Sequence, residues 1–312
     1  MIINHVVVLG GSGFVGRHVC QQLAARGLSV TIPTRNRERA RALILLPTAQ
    51  VVTMDVHDPR ALSAVVRGSD AVINLVGVLH DGRRRASFRE AHVGLARNVV
   101  AACRENGIGR LLHMSALNAG VDAPSAYLRS KGEAETIVRN SELDCTIFRP
   151  SVIFGREDRF LNLFAQLQRY LPAVVLGSPG ARFQPVFVED VAAAFVQSLR
   201  RLESYGQSYD LAGPKAYTLS ELVEYVGEAT GHSRPVIGLS DRASYWQAAA
   251  MEFLPMKLLT RDNYYSMKVD NVSAMPMPFG IAPTSLEAVA PTWLAQRTPR
   301  NRYNLFRDRS HR

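Results

Sequence analysis

Cysteine is scarce in this chain. Its 312 residues hold three, Cys20, Cys103 and Cys145, far apart and without a C-x-x-C pair. That spacing excludes a disulfide-stapled scaffold and a cysteine-rich zinc site, and it suits a reducing compartment. No pair of histidines has metal-ligating spacing, so no metal is expected. Long apolar runs are missing as well. The longest uncharged stretch, Asn271 to Leu286, is broken by Pro276, Pro278, Gly280 and Pro283, so it is not the run of about 20 apolar residues that spans a bilayer. Met1 stands a few residues before the first strand pattern, which leaves no room for a signal or transit peptide. A cytosolic protein is expected, or one peripheral to a membrane such as the inner membrane. With 22 Gly and 16 Pro the chain is neither collagen-like nor low-complexity, and no repeat is present.

What is abundant is positive charge, +10 in all, and it is clustered. Arg297 to Arg312 holds six arginines and one aspartate, half of the net charge. Further clusters are Arg35, Arg37, Arg39 and Arg41, and Arg83-Arg84-Arg85. Such clusters bind phosphates, anionic lipid or acidic protein surfaces, or form a solvated face. Nucleic acid is not expected, because aromatic stacking motifs and a recognised module are absent.

The first half alternates between two periodicities. Strand-like runs are His5–Leu9, Ser29–Pro33, Val51–Met54, Ala71–Val76, Arg110–Met114 and Cys145–Arg149. Helix patterns lie near Val15–Ala25, Arg37–Leu43, Pro59–Val66, Phe88–Glu105 and Ser125–Asn140. Short apolar strands joined by helical crossovers predict an α/β fold, a doubly wound parallel sheet covered on both faces. Beyond Pro150 prolines cut the chain into shorter pieces. A helix at Val191–Arg201 and a strand at Ser208–Leu211 fit a return to the main sheet. Thr218 and Glu221 read as a capping box, and residues 240–295 as mostly helical and Met-rich. The expected division is a dinucleotide-binding domain over 1–155, rejoined by 186–212, a small α+β domain over 156–185 and 213–296, and a basic tail over 297–312.

Val6-Val7-Val8-Leu9-Gly10-Gly11-Ser12-Gly13-Phe14-Val15-Gly16 is a buried strand, a glycine turn and a helix start. Gly10 permits the tight turn, Gly13 lets backbone approach a pyrophosphate, and Gly16 allows close helix–strand packing. Free N–H groups around Ser12, Phe14 and Val15 then face the phosphates. An acidic residue about 20 positions on marks an NAD-type ribose site. Here that place holds Arg35, nineteen residues after Gly16. A guanidinium suits a 2′-phosphate, so NADP(H) is favoured over NAD(H).

These residues resemble a known family. The glycine turn, Asp55-Val56, Asn74-Leu75-Val76-Gly77 and the Y-x-x-x-K of Tyr127 and Lys131 look like a short-chain dehydrogenase/reductase of the extended or atypical branch. Arg149-Pro150-Ser151-Val152-Ile153-Phe154-Gly155 points to that branch, and the stretch from Gly155 to Asn162, Phe187-Val188-Glu189-Asp190-Val191-Ala192, Leu259-Thr260-Arg261-Asp262-Asn263 and Asp270-Asn271-Val272 narrow it. Together they resemble the Rossmann-fold accessory subunit of respiratory complex I and its bacterial relatives. The resemblance implies a tightly held NADPH and an accessory or assembly role. It further implies that Asp55 and Val56 flank the adenine, Val76 and Gly77 line the passage along the phosphates and ribose, Ser115 approaches the nicotinamide ribose, and Pro150 covers the nicotinamide. Asp55 also reads as a loop cap.

Two readings of activity stay open. Tyr127 and Lys131 share one helix face, as a proton donor and its ammonium neighbour would. Lys131 also suits a ribose contact. The third catalytic member is Ser115, or Ala116 takes its place and leaves the role empty. The first reading is an accessory protein of a respiratory complex or a quinone-biosynthesis assembly, its basic tail touching a partner or an anionic membrane. The second is an oxidoreductase or epimerase acting on a quinone precursor or a nucleotide sugar. His92 and His113 read as structural, Glu189-Asp190 as helix capping, and the aromatic stretch from Tyr245-Trp246 to Met256 as core packing of the small domain, or else as a face toward an isoprenoid, a quinone or a membrane.

Overall fold

The computed structural model describes residues 2–78, 81, 87–253 and 259–295. The cluster Arg83-Arg84-Arg85, Leu254 to Leu258 and the basic tail lie outside the described residues. The chain divides into two compact units. One comprises Met1–Pro150, Val188–Leu211 and Ser273–Ala282, and the other Ser151–Phe187, Ala212–Val272 and the described residues from Pro283 on.

The first unit is built on seven strands: β1 (His5–Leu9), β2 (Ser29–Thr34), β3 (Ala49–Thr53), β4 (Ala71–Asn74), β5 (Arg110–Met114), β6 (Asp144–Pro150) and β7 (Ser208–Leu211). All pairs are parallel, in the order β7-β6-β5-β4-β1-β2-β3. This is the doubly wound α/β arrangement. Its strand order reverses between β1 and β4, where such sheets open a crevice at their carboxyl ends. β1 owes its central place to Val6, Val7, Val8 and Leu9, all fully buried. Such a run needs cover on both faces. Helices α1 (Phe14–Ala25), α2 (Pro59–Val66), α3 (Leu95–Glu105), α4 (Ala126–Arg139) and α5 (Val188–Ser198) supply it. Leu62, Val66, Leu95, Val99, Ala134 and Val138 pack with Val7, Val72, Leu111 and Ile147 on one face. The Val15, Val19 and Leu23 stripe of α1 is buried as its spacing predicts.

Several boundaries move. β2 continues through Pro33, because its pairing with β1 ends at Thr31 and the missing N–H costs no ladder bond on that side. The expected helix Arg37–Leu43 is only a short 3₁₀ turn, Arg37–Ala40, capped by the Asn36 side chain. The expected helix Phe88–Glu105 opens with a wide π turn, Arg89–Gly94, before α3. That turn buries Ala91, His92 and Val93. Glu189 and Asp190 stand in the first turn of α5, where acids suit the helix dipole, and the Glu189 carboxylate also accepts from Gln22 Nε2 at 2.8 Å and lies 2.6 Å from His18 Nδ1, tying α5 to α1. Arg110, unremarked in the sequence, is fully buried and donates to the carbonyls of Asp144, Ser198 and Leu199 and to Ser204 Oγ. It thereby pins β5 and β6 to the C-terminus of α5, where helix carbonyls stabilise its charge.

In the second unit, helices Phe160–Tyr170 and Leu219–Thr230 share a core with Phe154, Leu176, Leu286 and Trp293. The capping box of Thr218 and Glu221 forms, and Gly231 closes that helix in the left-handed region. Helix content after residue 240 is lower than expected. Asp241–Met251 and Arg261–Ser266 are helical, but 267–285 is largely irregular because Pro276, Pro278 and Pro283 interrupt it. The expected aromatic core is also corrected. Tyr245 packs edge-on against Trp246, Tyr264 and Tyr265, yet Trp246 is 71% and Phe253 91% exposed.

Candidate functional site

The glycine turn leaves β1 and enters α1 under tight steric control. Gly10 has φ +80°, and an added Cβ there would lie 3.1 Å from the Leu75 carbonyl carbon and from Val76 N. At Gly16 a Cβ would collide with the Gly10 carbonyl oxygen and lie 2.6 Å from Gly11 Cα. Gly11, a free position in the motif, is as constrained, 2.9 Å from Ile32 Cγ2. Gly13 is the N-cap of α1, no side chain caps that helix, and its first turn carries no acid. The amide donors of the first turn and the positive end of the helix dipole thus stay available for an anion.

From this turn the other candidate residues extend in sequence. Ser12 Oγ lies 3.2 Å from Thr34 Oγ1 at the end of β2. Arg35 follows directly and is exposed, with Arg37 and Arg39 exposed on the next turn. Phe14 sets its ring edge-on against His18, and Val15 is buried. On the other side Gly10 meets Val76, and Gly77 comes next. A Cβ at Gly77 would lie 3.2 Å from Lys131 Nζ and 3.5 Å from His92 Nε2. Lys131, on α4, is buried and donates to the Met114 carbonyl at 3.0 Å, one residue before Ser115. Ser115 N donates to Phe148 O and Leu117 N to Pro150 O, extending the β5–β6 ladder to Pro150. By strand alternation Ser115 takes the face of His113, and Ala116 the other. Asp55 and Val56, beyond β3, are half-buried, and Asp55 Oδ1 accepts from His57 N in its own turn. Tyr127 is half-buried, its ring edge-on to Phe88 and His92.

Side chains that the sequence showed only as structural histidines complete the cluster. His92 lies in the π turn. Its Nε2 accepts from Val78 N at 3.1 Å, so Nδ1 carries the proton that Ser130 Oγ accepts at 2.8 Å. Asn74 Oδ1 accepts from Val76 N, which turns Nδ2 to His113 Nδ1 at 3.3 Å and leaves the His113 proton on Nε2. Burial pushes Lys131 down to about 8 from its ordinary 10.5, partly opposed by Glu135. Burial first, and Lys131 second, push His92 down to about 2 and His113 to about 3, so both imidazoles are neutral. Glu135 itself is held by a bidentate pair with Arg149 of β6, 2.8 Å at Nε.

The residues present fit a dinucleotide. Glycines packed against backbone at Gly10 and Gly16 fix a turn whose helix start is uncapped and free of acids, which suits a diphosphate. The buried His113 Nε2 and Ser115 Oγ have no hydrogen-bond partner within the described residues, and Lys131 has one acceptor for three donors. Buried polar groups rarely stay unpaired, so this end of the site is shaped for oxygen-rich groups of a ligand or water.

The comparisons agree with this geometry. The sequence profile of an NAD(P)H-binding family matches residues 10–163. The "NADH dehydrogenase [ubiquinone] 1 alpha subcomplex subunit 9, mitochondrial" of Rattus norvegicus is 32% identical over 90% of this chain and 77% of its own length. The Arabidopsis thaliana protein of the same name is 39% identical over 70% of this chain, but the match spans only 56% of that relative. A solved Escherichia coli NADPH-dependent quinone oxidoreductase, in complex with NADPH, shares the fold at TM-score 0.73 and 20% identity, over 92% of this chain and 99% of that one. A glycine turn on a doubly wound sheet, a family profile over residues 10–163 and a relative 32% identical over 77% of its length lead to one assignment: the chain belongs to the NAD(P)H-binding Rossmann family of the subunit 9 proteins of NADH dehydrogenase [ubiquinone] 1 alpha subcomplex.

Proposed function

We propose that this protein holds NADP(H) as a structural ligand and serves as an accessory or assembly subunit of a respiratory complex. The observation that carries the reading is the 32% identity, over 77% of its length, to a relative named as a subunit of NADH dehydrogenase [ubiquinone]. Each residue then has a part. The Gly11 and Gly13 amides close the turn on Val8 O and Gly10 O, and the free amides around Ser12, Phe14 and Val15 donate to the diphosphate. Asp55 and Val56 flank the adenine, and Val76 and Gly77 line the passage. Arg35 faces the 2′-phosphate, where a guanidinium offers paired donors. Lys131 and Ser115 hold the nicotinamide ribose, and Pro150 borders the ring. When bound, the nicotinamide supplies or accepts a hydride; nothing in the accessory role requires turnover. A ligand that binds only the folded state stabilises it by about 2.7 kcal/mol at a hundred times its Kd. The basic tail, residues 297–312, would meet a partner or an anionic membrane surface, and no described helix is long and apolar enough to cross one. The test is co-purification with membrane respiratory complexes, with and without that tail. Persistent absence of the full chain from any complex contradicts the reading.

A second reading, an oxidoreductase or epimerase on a quinone precursor or a nucleotide sugar, is favoured by one observation. Tyr127 and Lys131 stand one turn apart on α4, and Lys131 bonds the carbonyl just before the buried Ser115. In that case Tyr127 holds the proton delivered to the substrate oxygen, Lys131 keeps it acidic, and Ser115 orients the substrate.

A further inference from the structure

His92 has no part in the cofactor contacts above, yet every hydrogen-bonding atom of its ring is spoken for. Val78 N donates to Nε2 at 3.1 Å, and Nδ1 donates to Ser130 Oγ at 2.8 Å. Ser130 Oγ passes its own proton to the Tyr127 carbonyl at 2.7 Å. The ring stacks on Phe88 at 5.8 Å and meets the Tyr127 edge at 5.7 Å. One imidazole therefore joins two elements distant in sequence, the loop leaving β4 and the second turn of α4. Gly77, between Val76 and Val78, is where they meet, close to both Lys131 Nζ and His92 Nε2. Directionality makes the link exacting. The Val78 amide can only donate, so the ring must present a bare nitrogen there and a proton toward Ser130.

We propose that His92 is a positioning residue: a neutral clamp that holds the Val76–Val78 loop against α4 and so keeps Lys131 at the carboxyl end of β5. The π turn is the device that delivers it, since the wider turn sends Ala91, His92 and Val93 inward before α3 resumes the ordinary pitch. A protonated ring would set a donor against the Val78 donor, and a cation beside Lys131. The buried imidazole avoids both. The cofactor readout below rests on the proposed function; the clamp itself does not, and it is measured without cofactor.

The experiment compares wild type, His92→Leu, His92→Gln and Ser130→Ala with Leu62→Ala, a core variant of α2 away from the clamp. Two quantities are read on the full chain: exchange of the Val78 amide in the apoprotein and affinity for NADPH. His92→Leu should speed Val78 exchange and weaken NADPH, each by about tenfold, the scale of one lost hydrogen bond. Leu62→Ala should lower thermal stability while moving neither. His92→Gln, whose amide oxygen can accept from Val78, should recover most of both, and Ser130→Ala should show the same faults in weaker form. If His92→Leu does not fold, the Gln and Ala variants decide. Unchanged Val78 exchange in His92→Leu or Ser130→Ala, or equal losses in Leu62→Ala, overturns the clamp. Failure of wild type to bind NADPH or NADH instead overturns the cofactor reading and leaves the exchange result to judge His92.

Discussion

The turn from Gly10 to Gly16 and the cluster around Lys131 are two ends of one candidate site, built in opposite ways. The turn is made of backbone in seven consecutive residues, and its controlling contacts are positions where a Cβ has no room. The cluster is made of side chains from β4, the π turn, β5 and α4, spread from Asn74 to Lys131, and it works through proton direction on Asn74, His92 and His113. Backbone machinery tolerates no added atom. Side-chain machinery tolerates no misplaced proton. The two should therefore fail differently.

The largest effect should come from the turn. Gly16→Ala puts its Cβ against backbone of Gly10 and Gly11 that cannot swing aside. It should cost about 3 kcal/mol of stability, as strong overpacking does, and abolish dinucleotide binding. Urea unfolding and NADPH titration of the same sample check both.

Lys131 should behave in the reverse sense. Its folded pKa, about 8, lies below the unfolded 10.5, so its charge opposes folding below about pH 8, and the penalty fades as pH rises from about 8 to 10.5. Lys131→Met should thus raise apoprotein stability at pH 7 by about 3 kcal/mol while weakening NADPH. Loss of stability in this variant would mean that the buried amine is better compensated than its single carbonyl partner suggests.

The histidines add a pH signature that the turn lacks. Both have folded pKa values far below the unfolded 6.5, so the unfolded chain takes protons first as pH falls through 6.5, and stability is lost from there down to about 3 for His113 and about 2 for His92. At pH 5 each should cost about 2 kcal/mol relative to pH 7, and His113→Gln should remove its share. Urea midpoints at the two pH values give the answer.

The contrast explains what could be read from the sequence. The glycine turn, the six first-half strands and the capping box at Thr218 were legible because each is written in consecutive residues with a fixed period. The π turn was not, because Phe88 to Glu105 carries an ordinary helical pattern and the inserted residue shows only as buried Ala91, His92 and Val93. His92 and His113 were recognisable as buried histidines, but their tautomers depend on Val78 and Asn74, partners no local pattern selects. Arg110 carried no signal of its own at the start of β5, and the carbonyls of α5 and β6 explain its burial.

Smaller effects separate the cofactors and the two readings of activity. Arg35→Glu should weaken NADPH about ten- to a hundredfold, the loss of a charged pair, and leave NADH within a few fold. Equal affinities in the variant and wild type would remove Arg35 from the 2′-phosphate. Smallest of all, Tyr127→Phe should leave NADPH affinity and complex association unchanged. A panel of carbonyl substrates turned over by wild type but not by Tyr127→Phe would instead favour the enzyme.

The central claim is that the free amides of the Gly10–Gly16 turn hold a nicotinamide dinucleotide. Native mass spectrometry of the protein as purified tests it most directly. One NADP(H) per chain, lost in Gly16→Ala, is the predicted result. A wild-type chain that carries no nucleotide and takes up none from added NADPH or NADH would contradict it.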